Sequence, residues 1–134
     1  MRDNNLMTRN RRSAKAAGAR FERIIADFLK VALDNEYIDR KVRTGSLDTG
    51  DIGGVRAHGQ RVAVECKDTA RIDLPAWTKE AHVEAVNDRA LVGVVIHKRH
   101  GVGDPGQQWV SMTVNDFVAL ITGKQHQEEG SCDE

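Results

Sequence analysis

The sequence has few aromatic residues and no long apolar run. Phenylalanine, tryptophan and tyrosine together make up 4% of its 134 residues, so a core must be built chiefly from aliphatic side chains. No apolar stretch approaches the roughly 18 residues that a membrane-spanning helix needs. The basic N-terminus is not followed by the apolar core of a signal peptide. These absences favour a single cytoplasmic domain, for which 134 residues provide enough buried surface.

Cysteine is also scarce, with Cys66 and Cys132 the two in the chain. Two such distant cysteines form neither a disulfide framework nor the spacing of a zinc site. Cys66 lies in a strand-like run, where we expect it to be a small buried apolar residue in a reducing compartment.

The chain has no net charge, because 20 Lys and Arg balance 20 Asp and Glu. The charges are nevertheless segregated. Residues 1–67 hold 14 basic against 9 acidic residues, and residues 68–134 hold 6 against 11. The N-terminal stretch contains Arg9, Arg11, Arg12 and Lys15, which form either a basic arm for phosphate contacts or a solvated flexible end.

Hydrophobic periodicity predicts an α/β domain over residues 14–123, between a flexible basic arm (1–13) and a flexible acidic tail (124–134). The predicted elements are helices at 14–34, 75–87 and 113–123 and strands at 37–42, 51–56, 61–67, 91–97 and 108–112. A stripe of apolar residues marks the first helix, and its members are Ala17, Phe21, Ile24, Ile25, Phe28, Leu29 and Ala32. Thr113 is expected to cap the last helix and Gly123 to end it.

The most informative run is Val62-Ala63-Val64-Glu65-Cys66-Lys67. Side chains alternate between the two faces of a strand, so Glu65 and Lys67 share one face. Asp51 lies a hairpin's length upstream, where it can pair alongside. Two carboxylates and a lysine at adjoining strand ends suit a hard divalent cation and a phosphate group.

The pattern Asp-x13-Glu-x-Lys resembles the signature of the PD-(D/E)XK nuclease superfamily, and within it the archaeal-type and phage Holliday junction resolvases. Three further stretches support the resemblance: 18–23, which opens a helix and contains Glu22; 43–46, a Gly/Ser loop; and 92–98, a later core strand. The superfamily has proline before the aspartate, where this chain has Gly50.

The resemblance implies a restriction-endonuclease-like mixed β-sheet flanked by α-helices. It implies a Mg²⁺-dependent endonuclease (with Mn²⁺ as substitute) that resolves four-way DNA junctions in recombination and repair. Paired incisions imply a homodimer, and a phage source would place it in the host cytoplasm. The implied catalytic residues are Glu22, Asp51, Glu65 and Lys67, with Glu22, Asp51, Glu65 and the Cys66 carbonyl as metal ligands.

Contacts with DNA are expected from the basic arm and from two further stretches. The predicted set is Arg9, Arg11, Arg12, Lys15, Arg43, Ser46, Lys98 and Arg99. Lys98 and Arg99 belong to a basic cluster, 97–100, whose other interpretation is a solvated strand end. Trp77 and Trp109 are expected to anchor a core or an interface rather than to stack on bases.

Each site residue also has a purely structural interpretation. Glu65 and Lys67 could form an ion pair on a solvated sheet face, Asp51 could be a turn residue, and Glu22 could be a helix-surface charge. Glu80, Glu84 and Asp88 recur at helical spacing, which predicts one solvated acidic face. The GxGxxG string at 101–106 leads into a strand and contains a proline, so we interpret it as a loop rather than a nucleotide site.

Three other functions remain open. The chain could be a nuclease that cuts other branched or single-stranded DNA, because nothing in the sequence separates that substrate from a junction. It could be a DNA-binding recombination accessory without cleavage. A third possibility is a small metal-binding or protein-interaction domain that uses the acidic tail.

Overall fold

The computed structural model describes residues 2–42 and 45–125, with side chains from Arg11 onward. Its elements are α1 (Arg2–Ala32), β1 (Asp39–Arg40), β2 (Ile52–Gly53), β3 (Arg56–Ala57), β4 (Gln60–Lys67), α2 (Leu74–Asn87), β5 (Val92–His97), β6 (Trp109–Ser111) and α3 (Val114–Thr122). The predicted α/β class and the predicted order of helices and strands are confirmed. The strand predicted at 51–56 is divided into β2 and β3.

The strands form one mixed sheet in the order β1-β2-β4-β5-β6, with β3 paired to β4 as a hairpin. Strands β4 and β5 are parallel, from Val62 beside Val92 to Lys67 beside His97. The remaining pairs are antiparallel. Parallel neighbours need a crossover connection, and α2 supplies it.

Helices cover both faces of the sheet, which explains why β5 is buried along its whole length. On one face, Phe21 and Ile25 of α1 and Ala119 of α3 pack on Ile52 and Val64. On the other face, α2 packs through small side chains and Trp77. Trp77 is buried, as predicted, whereas Trp109 is about half exposed.

Two helix ends follow from local chemistry. Asp73 caps α2 by accepting a hydrogen bond from the Ala76 amide at 3.2 Å, and proline occupies the first turn. Thr113 caps α3 by accepting from the Asp116 amide at 3.2 Å, and Gly123 ends it with φ of +79°. Both predictions for α3 are confirmed.

Two predictions about α1 are wrong. The helix begins at Arg2 rather than near residue 14, because no glycine or proline interrupts the chain before Gly18. Its predicted apolar stripe is also too wide. Phe21 and Ile25 are buried, but Ile24 and Phe28 are 47% and 39% exposed.

The predicted acidic tail lies mostly at 126–134, outside the described residues. Among the helices described, none is both long enough and apolar enough to cross a membrane.

Candidate active site

Strand β4 places Glu65 and Lys67 on the sheet face that α2 covers. Their neighbour on that face, Ala63, packs with Ala85 and Ala90 next to α2. The opposite-facing residues, Val64 and Cys66, belong to the core under α1. The two side chains form an ion pair at 3.5 Å, but Glu65 is only 4% exposed, so the expected solvated position of that pair is wrong.

Asp51 lies directly before β2, at the level of Glu65. Ile52 pairs with Val64, and the Asp51 amide donates to the Val64 carbonyl at 2.8 Å. The Asp51 carboxylate accepts a hydrogen bond from the Cys66 amide, also at 2.8 Å. The predicted position of Asp51, beside the Glu-x-Lys strand, is therefore confirmed.

The backbone before Asp51 requires glycine. Gly50 has φ of +104°, and a Cβ atom at this position would lie 2.9 Å from the Val64 carbonyl oxygen. Proline has φ fixed near −65°, so it cannot adopt this conformation. The departure from the superfamily's proline thus has a local physical cause.

Glu22 reaches the site from α1 and is held by Arg40 of β1. The Arg40 guanidinium donates to Glu22 Oε1, with nitrogen–oxygen distances of 3.2 and 3.1 Å. Burial raises the pKa of Glu22, and the nearby negative charge of Asp51 raises it further against the opposing effect of Arg40. Glu22 is therefore close enough to Asp51 for electrostatic coupling, and it is not an isolated surface charge.

Lys67 forms ion pairs with two carboxylates. Its Nζ lies 2.9 Å from Glu80 Oε1 and 3.5 Å from Glu65 Oε2. Partial burial lowers the pKa of Lys67, but the hydrogen bond to Glu80 and the charge of Glu65 outweigh that effect and raise it. Lys67 is therefore an ammonium ion, the form that attracts a phosphate.

Sequence analysis missed Asp48, Glu80 and Glu84, which extend the site. One ligand oxygen from each lies within 4.8 Å of the others. The predicted solvated face on α2 is wrong, because Glu84 is fully buried and the Asp88 carboxylate pairs with Lys41 at 3.3 Å. The helical spacing of Glu80 and Glu84 was visible, but only the tertiary fold shows that this face of α2 covers Glu65.

This concentration of acidic groups changes their proton affinities. Burial raises the pKa of Glu65, and hydrogen bonds with Glu80 and Asp51 raise it further. The pKa of Glu80 is lowered, first by its hydrogen bond with Glu65 and then by Lys67. Of this pair, Glu65 is therefore the carboxyl whose proton the site favours, and Glu80 is the one that it favours as a carboxylate.

The donor set fits a hard divalent cation. Carboxylate oxygens are the preferred ligands of Mg²⁺ and Mn²⁺, and a bound cation would compete with the proton that burial favours on Glu65. The backbone of Cys66 could provide a further oxygen ligand. In an extended strand the N–H and C=O of one residue point to the same side of the strand. The Cys66 carbonyl therefore points toward Asp51, as the Cys66 amide does. The Cys66 thiol is buried in the core, where burial raises its pKa.

An open cleft lies beside Asp51 and the loop that precedes it. It has a volume of about 320 Å³, and Asp48, Asp51 and Lys41 are among its lining residues. Two larger clefts, of about 610 and 530 Å³, are both lined by His82 and Val86 of α2 and by none of the site's carboxylates.

The predicted DNA contacts occupy varied positions. Arg11, Arg12 and Lys15 are exposed on α1, and Ser46 is exposed in the loop before Asp51. The side chain of Arg9 and the whole of Arg43 lie outside the described residues.

The second basic stretch makes internal contacts. Lys98 Nζ donates to the Val102 carbonyl. The Arg99 guanidinium lies 4.7 Å above the centre of the Trp109 ring. His97 does not extend a surface cluster, because it is buried, with Nε2 2.7 Å from Ser111 Oγ. One short 3₁₀ turn, Pro105–Gln107, separates this loop from β6. The GxGxxG string at 101–106 is therefore not followed by the α-helix that a nucleotide site needs.

Comparisons of the chain with protein-family models, with curated proteins and with solved structures found no match. A function must therefore be inferred from the geometry of the site.

Proposed function

We propose that this protein is a metal-dependent DNA endonuclease with a restriction-endonuclease-like core that resolves four-way junctions. The observation on which the proposal rests is the meeting of Asp51, Glu65 and Lys67 at the ends of adjacent strands, with Glu22 in electrostatic contact. The order and spacing of these residues resemble those of the PD-(D/E)XK resolvases.

Burial distinguishes this arrangement from an ordinary surface ion pair. A carboxyl group at 4% exposure beside other acidic groups stays ionised only where positive charge compensates, and a bound cation would add to the charge of Lys67. Such a cluster is needed to bind a cation and a phosphodiester. A structural ion pair does not need one.

Asp51, Glu65 and the Cys66 carbonyl would hold the cation, which supplies a Lewis acid that activates water and offsets charge on the phosphate. Lys67 would donate hydrogen bonds to the scissile phosphate and orient the attacking water. Glu22 would accept a hydrogen bond from water at the edge of the site, at the position where Arg40 now holds its carboxylate.

The substrate would be recognised by shape and backbone contacts rather than by base sequence. Exposed Arg11, Arg12, Lys15 and Ser46 are available for phosphates. Arg99 follows the end of β5 that lies beside Lys67, and its guanidinium stacks on Trp109. Two symmetric cuts across a junction need two active sites, so we propose a homodimer.

The substitutions Asp51→Asn and Glu65→Gln test the proposal. We expect each to reduce junction cleavage by at least about 100-fold while leaving junction affinity within a few-fold, since each removes a cation ligand and leaves the phosphate-binding residues in place. Cleavage would be measured on a labelled junction in Mg²⁺ and affinity by fluorescence anisotropy in Ca²⁺.

Glu36→Gln is the matched control, because Glu36 is an exposed turn residue away from the site. It removes the same charge and should cleave like the original protein. Substantial cleavage by both site variants would refute the assignment of Asp51 and Glu65.

A further inference from the structure

We infer that Asp48, Glu80 and Glu84 form a second divalent-cation site next to the proposed catalytic one. Their ligand oxygens lie within 4.8 Å of one another. Opposite ligands of one ion are separated by about 4.2 Å for Mg²⁺ and by up to about 5.2 Å for Ca²⁺. Small side-chain rotations are therefore enough for all three to bind one ion.

Glu84 provides the independent reason for a ligand at this position. It is fully buried, and no N–H or hydroxyl donor among the described residues reaches either of its carboxylate oxygens. The polar groups nearest to it are the carboxyls of Asp48 and Glu65, which can share a hydrogen bond with it only through a proton. Buried polar atoms without partners are rare in folded proteins and destabilise them. A cation that Glu84 shares with Asp48 and Glu80 would satisfy both oxygens.

The other two ligands are held in position by the fold. The Asn87 side chain donates to the Asp48 carbonyl at 2.9 Å, which joins the loop before Asp51 to α2. The Gly50 amide donates to Asp48 Oδ1 at 3.0 Å. Glu80 lies one helical turn before Glu84, so both carboxylates point from α2 toward the same side.

An ion at this site would change the environment of Lys67. Glu80 now pairs with Lys67 Nζ at 2.9 Å, and a cation would compete for that carboxylate. Lys67 would then keep only its longer contact to Glu65, at 3.5 Å, and become available to a phosphate. This last role depends on the proposed nuclease function, but the ion site itself does not.

Mn²⁺ binding to the full chain tests the inference, with stoichiometry measured by electron paramagnetic resonance and isothermal calorimetry. We expect two ions per chain for the original protein and for the Glu36→Gln control. Glu84→Gln and, separately, Asp48→Asn should each retain one ion. Asp51→Asn should also retain one, because it removes a ligand of the other site.

The outcomes separate the two proposals. The second site would be overturned if Glu84→Gln and Asp48→Asn each bound two ions. It would also be overturned if the original protein bound one ion and both variants retained it. Either result would leave the nuclease proposal standing. One ion that Asp51→Asn retains and Glu84→Gln loses would support the second site and count against the catalytic ligands. Absence of binding in the original protein would overturn both. Asp48→Asn guards against misfolding, since Asp48 is only partly buried.

Discussion

Glu84 is the residue whose burial has the clearest consequence for stability. Burial raises its pKa to about 8 from the ordinary value of 4.5, and the neighbouring Asp48 adds to the effect. The folded chain then holds a proton that the unfolded chain releases. Its contribution to stability is therefore present at low pH and is lost as the pH rises from about 4.5 to about 8.

We predict that Glu84→Gln raises the free energy of unfolding at pH 8 by about 1–3 kcal/mol in metal-free buffer, because glutamine is neutral at every pH. The gain should shrink as the pH falls toward 4.5, where Glu84 is protonated in the folded state. Urea unfolding across this pH range measures it. Parallel stability curves for the variant and the original protein would contradict the prediction, and Glu36→Gln should show no such gain.

At the residue scale, sequence identified Asp51, Glu65 and Lys67 as neighbours because strand alternation and a short hairpin fix their positions. It missed Glu84 because a glutamate on a helix is usually exposed. Nothing local distinguishes the buried Glu84 from the partly exposed Glu80. That difference depends on which face of α2 lies over β4.

At the scale of elements, helix caps and hairpin turns were predictable because their signals are local. Thr113 and Gly123 mark the two ends of α3 as expected. The turn at His58 and Gly59 joins β3 to β4. The N-terminal bound of α1 was not predictable from basic residues alone, because arginine is compatible with both a helix and a flexible end.

The position of α2 relative to β5 is set by a close approach at Gly93. A Cβ atom there would lie 2.3 Å from the Ala81 carbonyl oxygen, in the turn of α2 that links Glu80 to Glu84. The Gly93 amide also donates to Asp116 Oδ2 at 3.2 Å, so α3 is connected to the same point. Displacing α2 would therefore displace two of the proposed ligands.

We predict that Gly93→Ala lowers the free energy of unfolding by about 1–3 kcal/mol, because the added methyl group must push the helix backbone away. It should also weaken Mn²⁺ binding. Chemical denaturation and calorimetry measure the two effects.

Gly103→Ala is the matched control, since Gly103 has no atom within 4 Å of an added Cβ and no positive φ. It should leave both quantities nearly unchanged. An equal effect of the two substitutions would show that Gly93 is not a packing constraint.

At the scale of the whole molecule, the chain combines zero net charge with a segregated distribution. Some acidic residues of the second half of the chain lie in the candidate site, where Glu80 and Glu84 of α2 lie against β4. The exposed basic residues of α1 remain available for a polyanion. Net charge is therefore a poor guide to whether this chain binds DNA, and the arrangement of charge is the better one.

We predict that the double substitution Arg11→Gln and Arg12→Gln weakens junction binding and lowers the slope of log affinity against log salt by about 2, because two phosphates are no longer neutralised by arginine. Anisotropy titrations over a salt series measure the slope. Lys79→Gln with Lys124→Gln removes the same charge from α2 and from the segment after α3, and should leave the slope unchanged. Equal slopes for both double variants would exclude α1 from the interface.

Cleavage of a labelled synthetic four-way junction, in Mg²⁺ and in EDTA, tests the central claim most directly. Linear duplex, fork and single-strand substrates of matched sequence serve as controls. We predict paired symmetric cuts in the junction alone that disappear in EDTA. Cutting of every substrate would retain the metal-dependent chemistry but reject junction selectivity. Tight binding without any cutting in Mg²⁺ or Mn²⁺ would contradict the nuclease assignment and favour a recombination accessory.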